Sequence, residues 1–511
     1  MMIKEALNTS IKDALAGLGI EVEPSDIELE HPTELAHGDF ASNVAMRFAQ
    51  ELDTNPRELA EKIQQSLDAA RDDLGFVDKI EIAGPGFINF FLSRNFFTKS
   101  LDDIAAHGAA FGSSESLEGK RVMVEYTDPN LFKEFHVGHI MNNTLGEAIA
   151  NLYESRGASV ARANYQSDIG PPVAKAIWGM RQLAHKMPPD DAPLYDKVRF
   201  LGDSYVTGSA AYEEGSAKTE IDDINTAIYE RSNDALNELY TWGRTVSLNH
   251  FEEIYKKLGT RFDYYFFESQ VFEDGLKLVE EGKQKGVFEE SEGAVVYHGE
   301  QDGLHTRVFV NARGLPTYET KELGLTKQKF ETEAFDQSIV VTGNEQTSYF
   351  QVVMAALDKL RPEWVAKTKH IEHGMLRTPE GKMSSRKGNV IGGGTLIEDV
   401  EERAREKIAE SERELDDPEK LATQEAVAAI KYAILRQTPG KNVVFDIDQS
   451  LSLEGDSGPY LQYTHTRCVS VLEKAEREGV TPSIEKAPAD PFELERVLYR
   501  FPEVVERAFA D

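Results

Sequence analysis

The sequence predicts a multidomain α/β protein in which a parallel-sheet domain lies between a small α+β domain and an all-helical C-terminal domain. Its 511 residues exceed what a single hydrophobic core normally supports. A strand–helix–strand pattern over residues 121–165 is typical of a parallel sheet. From residue 395 onward, the apolar residues recur almost wholly at helical spacing.

The first part of the chain, residues 1–112, has the pattern of a small α+β domain. Apolar residues recur at helical spacing in three stretches, 1–18, 41–52 and 55–72. Two further stretches, 77–83 and 87–92, flank a Gly-Pro-Gly segment and predict a strand, a tight turn and a strand. A linker rich in glycine and serine over residues 108–119 then separates this domain from the next.

The central part, residues 113–394, predicts a Rossmann-type domain with insertions. An apolar strand at 121–126, a helix at 138–155 and a strand at 160–165 form its first unit, and a second strand and helix follow at 338–342 and 346–360. Between them we expect a mostly helical insertion over about 170–290 and a β-hairpin over 294–310. Residues 395–511 complete the chain as a helical domain, which we expect to be incomplete at its C-terminus because its last helical pattern has no stop signal.

Composition restricts the classes of protein that remain. The net charge of −33 opposes broad nucleic-acid binding, although a local basic groove can still attract RNA on an acidic protein, and the simplest explanation of the charge is solubility. A single cysteine, Cys468, excludes an internal disulfide and a multi-cysteine metal site. No apolar run approaches the ~18 residues of a membrane span, and we expect a monomeric cytoplasmic protein that does not contact membranes.

The first motif with chemical meaning is His-Val-Gly-His at residues 136–139, where a strand passes into a helix. Such a helix end offers free N–H groups and a positive dipole to phosphate. His136 and His139 lie three residues apart, on one helical face, and each can donate a hydrogen bond to a phosphate oxygen. Gly138 leaves room for a flat base. The alternative is a pair of helix-capping histidines without a ligand; a metal site is less favoured because no carboxylate shares that face.

The second motif is a cationic loop at residues 381–389, with the sequence GKMSSRKGN. Three positive charges and two hydroxyls within six residues suit a triphosphate or departing pyrophosphate, and the bounding glycines permit the loop to open and close. Taken alone, the string is more typical of a solvated basic loop. Its occurrence with the histidine motif, about one Rossmann domain apart, favours the phosphate-binding interpretation.

Together these motifs resemble the two signatures of class I aminoacyl-tRNA synthetases, and nearly the whole chain resembles one family of that class, the arginyl-tRNA synthetases. The further segments that carry this resemblance are residues 37–41 (HGDFA), 55–60 (NPRELA), 84–89 (GPGFIN), 315–318 (LPTY), 452–456 (SLEGD) and 458–463 (GPYLQY). The resemblance implies ATP- and Mg²⁺-dependent activation of L-arginine and its transfer to the terminal adenosine of tRNA(Arg). It also implies that residues 1–112 bind tRNA and that residues 395–511 bind the anticodon.

The resemblance also assigns roles to individual residues. Phosphate binding and catalysis fall to His136, Gly138, His139, Lys133, Lys382, Met383, Ser384, Ser385, Arg386 and Lys387. Arginine binding falls to Glu125, Asn130, Tyr318, Glu322 and Gln346. A guanidinium group has five fixed donors, so its pocket needs a carboxylate and further acceptors. No metal site built by protein ligands is expected.

Each pocket residue also has a structural alternative. Tyr318 fits core packing, Glu322 fits a solvated helix face, and Gln346 fits a helix cap. Glu125 is the least easily explained in this way, because a carboxylate buried in a strand needs a partner.

The chain departs from the family pattern at several positions. Glu322 stands where the family has aspartate, and Ser385 stands where the second signature has a lysine, a loss that Lys133 is placed to offset. Glu134 replaces a proline beside the phosphate site, and we expect its carboxylate to point away or to pair with Lys133. Three other interpretations stay open: another class I synthetase, an adenylate-forming enzyme that uses no RNA, and an inactive RNA-binding paralogue.

Overall fold

The computed structural model describes residues 2–69, 74–377, 392–410, 416–438, 440–481, 483 and 488–510. These residues form two compact units. The first combines Met1–Ser114 with Ala475–Asp511, and the second is Glu115–Lys474. The division falls between Ser114 and Glu115, and the last 37 residues, 475–511, group with the N-terminal unit.

The described residues form fourteen strands and nineteen α-helices. The strands are β1 (Leu29–Glu30), β2 (Phe40–Ser42), β3 (Val77–Ala83), β4 (Phe87–Leu92), β5 (Arg121–Glu125), β6 (Ser159–Gln166), β7 (Tyr264–Phe267), β8 (Glu289–Ser291), β9 (Ala294–Tyr297), β10 (Arg307–Val310), β11 (Gln337–Gly343), β12 (Thr368–His373), β13 (Leu376–Arg377) and β14 (Val443–Val444). The helices are α1 (Met2–Gly17), α2 (Val44–Phe48), α3 (Pro56–Ala69), α4 (Arg94–His107), α5 (Val137–Ser155), α6 (Pro171–Gln182), α7 (Leu194–Glu213), α8 (Lys218–Glu230), α9 (Asp234–Leu258), α10 (Glu268–Gln284), α11 (Tyr318–Thr332), α12 (Thr347–Asp358), α13 (Pro362–Val365), α14 (Gly393–Glu410), α15 (Pro418–Leu435), α16 (Ile447–Ser450), α17 (Gly458–Arg477), α18 (Glu493–Leu498) and α19 (Phe501–Ala510).

The first unit is built on an antiparallel sheet with the strand order β1-β2-β4-β3. Helices α1 and α3 bury their apolar faces on it, with Leu7, Ile11 and Ile63 fully buried against strand residues such as Phe90. The expected strand–turn–strand over residues 77–92 is confirmed. The helix expected over residues 41–52 is shorter, because Ala41 and Ser42 belong to β2, where Ala41 pairs with Asn89 of β4.

Helices α18 and α19 dock onto this sheet unit through ion pairs. Arg94 of α4 donates two hydrogen bonds to Glu495, at 2.7 and 2.8 Å. Arg496 pairs with the buried Asp39, whose other oxygen accepts the Leu92 N–H at 2.8 Å. Bidentate, partly buried pairs of this kind fix orientation as well as adding stability. The two helices therefore belong structurally to the N-terminal unit.

The second unit contains a five-stranded parallel sheet with the order β12-β11-β5-β6-β7. The strand–helix–strand unit expected from the sequence is confirmed as β5, α5 and β6, and the second as β11 and α12. The insertion is helical from α6 to α10, as expected, but it also contains β7, which forms one edge of the sheet. The expected hairpin is confirmed as β9 and β10, which are antiparallel. No helix in the described part of the chain is long and apolar enough to cross a membrane.

Candidate active site

The candidate site lies where the order of the parallel strands reverses. From β5, the chain continues to β6 and β7 on one side, and later returns to β11 and β12 on the other. The carboxyl ends of β5 and β11 therefore flank a crevice of the kind in which open α/β sheets bind their ligands. Helix α5 begins a few residues after β5 and directs its N-terminus to the same edge.

Two histidines occupy the start of α5. His136 is the N-cap residue, and its backbone N–H donates to Nδ1 of the buried His139 at 3.2 Å. The two rings are stacked, with their centroids 3.5 Å apart and their planes at 22°. Because Nδ1 of His139 accepts a hydrogen bond, its proton is assigned to Nε2, which leaves an N–H donor on the outer side of the ring.

Both histidines are held in the neutral form. Burial, together with the charge of Lys133, lowers the pKa of His136 to about 4. Burial and then the charges of His136 and Lys133 lower the pKa of His139 well below its ordinary value. Near neutral pH, the pair therefore offers neutral N–H donors, and the neighbouring positive charge is that of Lys133.

Gly138 is required by the packing of this pair. A β-carbon at this position would lie 3.0 Å from Cε1 and Nδ1 of the His136 ring, which is closer than ordinary contact. A side chain here would require the His136 ring to move by a few tenths of an ångström, and glycine avoids this contact. The structure thus supplies a steric reason for the glycine that is independent of any bound base.

The loop between β5 and α5 is unusually strained. Thr127, Asp128 and Phe132 all have positive φ angles, of 81°, 42° and 62°. Asn142 of α5 holds this loop, accepting the Thr127 N–H at 2.6 Å and donating to the Val341 carbonyl of β11 at 2.7 Å. Positive φ in residues other than glycine is costly and persists where the surroundings enforce it, often at ligand sites.

A cluster of carboxylates lies buried at the end of β5. The carboxylate of Glu125 pairs with Lys329 of α11 at 2.7 Å, and both side chains are 2% exposed. Burial and then the charge of Glu125 raise the pKa of Glu322 to about 8, although Lys329 opposes the shift. The same two effects raise the pKa of Asp128 well above its ordinary value. Three carboxylates thus share one lysine, an arrangement suited to a cationic ligand.

The other predicted pocket residues lie on the loop after β5 and at the beginnings of α11 and α12. The backbone of Asn130 pairs with that of Ser167, just after β6, in an isolated parallel β-bridge. Gln346 is exposed and immediately precedes α12. Tyr318 begins α11 and is 46% exposed, and its carbonyl accepts the hydroxyl of Tyr349 at 3.1 Å. Because Glu322 is 7% exposed, the interpretation of this residue as one charge of a solvated helix face is wrong.

Several site residues were not predicted from the sequence. Lys329 and Asp128 complete the carboxylate cluster. Lys321 of α11 forms a second buried ion pair with Glu268 at 2.6 Å and also donates to the Ile169 carbonyl at 3.2 Å. A charge within a Thr-Lys-Glu stretch gives no sign of burial, so only the fold shows that these lysines face inward.

The other residues expected at or beside the phosphate site are Lys133, Glu134 and those of the second motif. Lys133 is half-buried, and its ammonium lies 4.9 Å from the centre of the Tyr205 ring. The carboxylate of Glu134 faces Gly202 of α7, where a β-carbon would be 3.2 Å from Oε1. The whole second motif, including Lys382, Met383, Ser384, Ser385, Arg386 and Lys387, lies outside the described residues. Within the described chain, no group of three His, Cys, Asp or Glu side chains could hold a metal ion.

Comparisons with known proteins agree with this geometry. Residues 100–447 match the family "tRNA synthetases class I (R), catalytic domain", and residues 5–92 match "Arginyl tRNA synthetase N terminal domain". A Treponema denticola protein named arginine–tRNA ligase is 30% identical, over 99% of this chain and 88% of the relative. A protein of the same name from Clostridium acetobutylicum is 31% identical, over 93% and 82%.

Solved structures share the fold. The Thermus thermophilus arginyl-tRNA synthetase superimposes with a TM-score of 0.74 at 24% identity, over 99% of this chain and 88% of that one. The Plasmodium falciparum arginyl-tRNA synthetase gives a TM-score of 0.71 at 20% identity, over 100% and 88%. Fold, crevice and matched domain define a class I aminoacyl-tRNA synthetase. Within that class, the chain belongs to the arginyl-tRNA synthetase family.

Proposed function

We propose that the chain is an arginine–tRNA ligase that forms arginyl-adenylate from L-arginine and ATP and transfers the arginyl group to the 3′ adenosine of tRNA(Arg). The observation that carries this proposal is the buried carboxylate cluster of Glu125, Asp128 and Glu322 next to the N-terminus of α5. Such a cluster would bind a cationic group, and the helix end would bind phosphate, both near the carboxyl ends of the parallel strands.

The arginine pocket would use Glu322 for the guanidinium group. A carboxylate can accept two parallel N–H bonds from guanidinium, whereas a lysine ammonium cannot fill that fork. Glu322 is 7% exposed, and its proton would leave as the guanidinium enters. Tyr318 and Gln346 would contribute further contacts, and Glu125 with Asn130 would hold the α-amino and carboxylate end of the substrate. These roles are supported by position at the crevice and by the family resemblance.

The phosphates would lie at the start of α5. Neutral His136 and His139 would donate N–H bonds to phosphate oxygens, supported by the free backbone N–H groups and the helix dipole. Lys133 would supply positive charge beside them, and the backbone at Gly138 would admit the adenine. Lys382, Met383, Ser384, Ser385, Arg386 and Lys387 would hold the triphosphate as the arginine carboxylate attacks the α-phosphate and pyrophosphate leaves.

Mg²⁺ fits this site as a companion of the triphosphate. Because Mg²⁺ usually retains several waters and binds through substrate phosphates, it needs no cage of protein ligands. When bound, it would neutralise charge that develops on the leaving pyrophosphate. The residues of this chain would contribute positioning and hydrogen-bond donors rather than acid–base groups.

Transfer to tRNA forms the second step. A ribose hydroxyl of the terminal adenosine would attack the carbonyl of arginyl-adenylate, which breaks the bond to phosphate and releases AMP. The N-terminal unit and the helices from α14 onward would bind the tRNA body and anticodon. A cytoplasmic location and a monomeric state stay predictions.

The test is aminoacylation of unfractionated tRNA, with one labelled amino acid at a time. We expect arginine alone to be attached, at a rate about a hundredfold lower in the variant His136→Ala. Attachment of another amino acid would contradict the pocket assignment but not the class. No attachment in the presence of any amino acid, with the folded protein and intact tRNA verified, would contradict the proposed activity.

A further inference from the structure

Lys329 has no role in the proposed chemistry, although its ion-pair partner Glu125 is the carboxylate proposed to hold the α-amino group of arginine. Nζ of Lys329 and Oε2 of Glu125 are 2.7 Å apart, and both side chains are 2% exposed. Placing such a pair in a protein interior is rarely the most stabilising choice, because desolvation offsets much of the attraction. A buried lysine at this position therefore calls for an explanation beyond stability.

Lys329 serves more than one carboxylate. It lies two helical turns after Glu322 on α11, so the two side chains share a face. The charge of Glu125 acts on both Glu322 and Asp128, and the charge of Lys329 opposes it at both. One ammonium group thus offsets three carboxylates.

The other ionisable groups around this cluster do not change its net charge. Glu268 of α10 is paired with Lys321 at 2.6 Å, so that pair is neutral. Tyr165 of β6 and Tyr349 of α12 also face the cluster, and burial raises the pKa of both hydroxyls well above the ordinary value. Both are therefore uncharged near neutral pH.

The count of charges then matches the proposed substrate. Without a ligand, the raised pKa values of Glu322 and Asp128 favour their uncharged, protonated forms. When bound cationic groups displace those protons, three carboxylates and one lysine leave two negative charges. Arginine brings two positive groups, its α-ammonium and its guanidinium, while its carboxylate is directed to the nucleotide. A low-dielectric pocket favours the ligand that brings its total charge closest to zero.

We propose that Lys329 is a positioning residue for amino-acid recognition, which holds Glu125 in place and sets the charge of the pocket so that it selects a ligand with two cationic groups. This inference rests on the proposed function. Without the lysine charge, the pocket would need a third cation, or a protonated Glu125 in place of an ionised one, and either would weaken the grip on the α-ammonium group.

The experiment compares Lys329→Met and Lys329→Arg with the wild-type protein and with Lys327→Met. Lys327 lies on the outer side of the same helix, pairs with Asp274 and Glu331, and is 25% exposed. We expect Lys329→Met to raise the KM for arginine about tenfold or more, with the KM for ATP unchanged. Lys329→Arg keeps the charge and should restore the KM for arginine to within about threefold of wild type, and Lys327→Met should leave both values unchanged.

A direct binding measurement gives a second readout. Citrulline and Nα-acetylarginine each carry one cationic group in place of the two of arginine. Calorimetry should show that the wild type binds each of them at least about a hundredfold more weakly than arginine. The preference for arginine over Nα-acetylarginine should become smaller in Lys329→Met and should persist in Lys329→Arg. If Lys329→Met does not fold, the ligand preference of Lys329→Arg still tests the role proposed for Lys329.

The outcomes are distinguishable. Equal changes in the KM for arginine and for ATP, or no change in either, would overturn the role of Lys329. So would a folded Lys329→Arg protein that lost its preference for arginine. A wild-type protein that neither binds nor attaches arginine would instead contradict the proposed function itself.

Discussion

The imidazole rings of His136 and His139 are stacked at 3.5 Å, and the backbone N–H of His136 donates to Nδ1 of His139. The hydrogen bond fixes the tautomer of His139, and the stack fixes its orientation. Burial and the charge of Lys133 keep both rings neutral. The pair therefore presents preorganised neutral donors at the end of a helix, where they cost little reorganisation during reaction.

The neutral-donor role predicts that a side chain with an N–H group but no positive charge can replace His136. We expect His136→Asn to retain adenylate formation to within about tenfold of wild type, whereas His136→Ala loses about a hundredfold. The measurement is the rate of ATP consumption with saturating arginine and tRNA. Equal loss in the two variants would show that the donor hypothesis is wrong.

The close approach of the His136 ring to Gly138 predicts that a larger residue at position 138 acts only by steric contact with this ring. In Gly138→Ala the new methyl group would lie 3.0 Å from the His136 ring, so the ring would have to move by a few tenths of an ångström. We expect kcat/KM for ATP to fall about tenfold to a hundredfold, with the melting temperature almost unchanged. Gly17→Ala is the matched control, since it lies at a helical glycine with nothing within 4 Å of the new carbon. A displaced ring should also be visible in the histidine resonances of the variant, and their constancy would argue against this explanation.

Glu322 predicts a dependence of stability on pH. Its pKa is about 8 in the folded protein and near 4.5 when exposed, so the folded state binds more protons between these values. The free energy of unfolding contributed by this residue therefore falls as the pH rises from about 4.5 through 8. We expect Glu322→Gln to be more stable than wild type at pH 8.5 and to differ little at pH 4.5.

The measurement is urea unfolding at pH 4.5, 7 and 8.5, with Glu331→Gln as the control, because that carboxylate is 59% exposed. Wild type and the control should lose stability in parallel across this range. A Glu322→Gln protein that follows the same curve would contradict the buried, protonated state of Glu322.

The pair Arg94–Glu495 predicts strong energetic coupling between distant parts of the sequence. Its side chains are 22% and 9% exposed, and it joins α4 to α18. A double-mutant cycle with alanine should give a coupling energy of about 1–3 kcal/mol in the unfolding of the N-terminal unit. The exposed pair Lys79–Glu81, at 48% and 52%, should give almost none. Equal coupling in the two cycles would mean that the helices after residue 488 do not dock as described.

The sequence-based prediction succeeded where a local pattern determines the structure. The strands and helix around the histidine motif follow from an apolar strand, a turn and helical spacing, and the structure has them as β5, α5 and β6. Strand β12, with the sequence Thr-Lys-His-Ile-Glu-His, was not identified, because a largely polar edge strand has no apolar run. Strand β7 was missed for another reason: its four residues lie between helices and are too few to give a recognisable strand pattern.

The site was predicted only as far as motif residues reach. His136 and His139 follow from a motif, and Glu125 follows from the family resemblance, which the need of a buried strand carboxylate for a partner favours. That partner, Lys329, lies 204 positions away, and no spacing rule connects the two. The pairing of Asp39 with Arg496 across 457 positions was equally invisible, although Asp39 belongs to a segment selected for its family resemblance.

The most direct test of the charged pocket compares the affinities of arginine and citrulline for the wild type and for Glu322→Gln. The two ligands have nearly the same shape, but only arginine carries the guanidinium charge. We expect wild type to bind arginine at least about a hundredfold more tightly than citrulline, and Glu322→Gln to lose most of this difference. An unchanged preference for arginine in Glu322→Gln would contradict the assignment of this carboxylate to the guanidinium group.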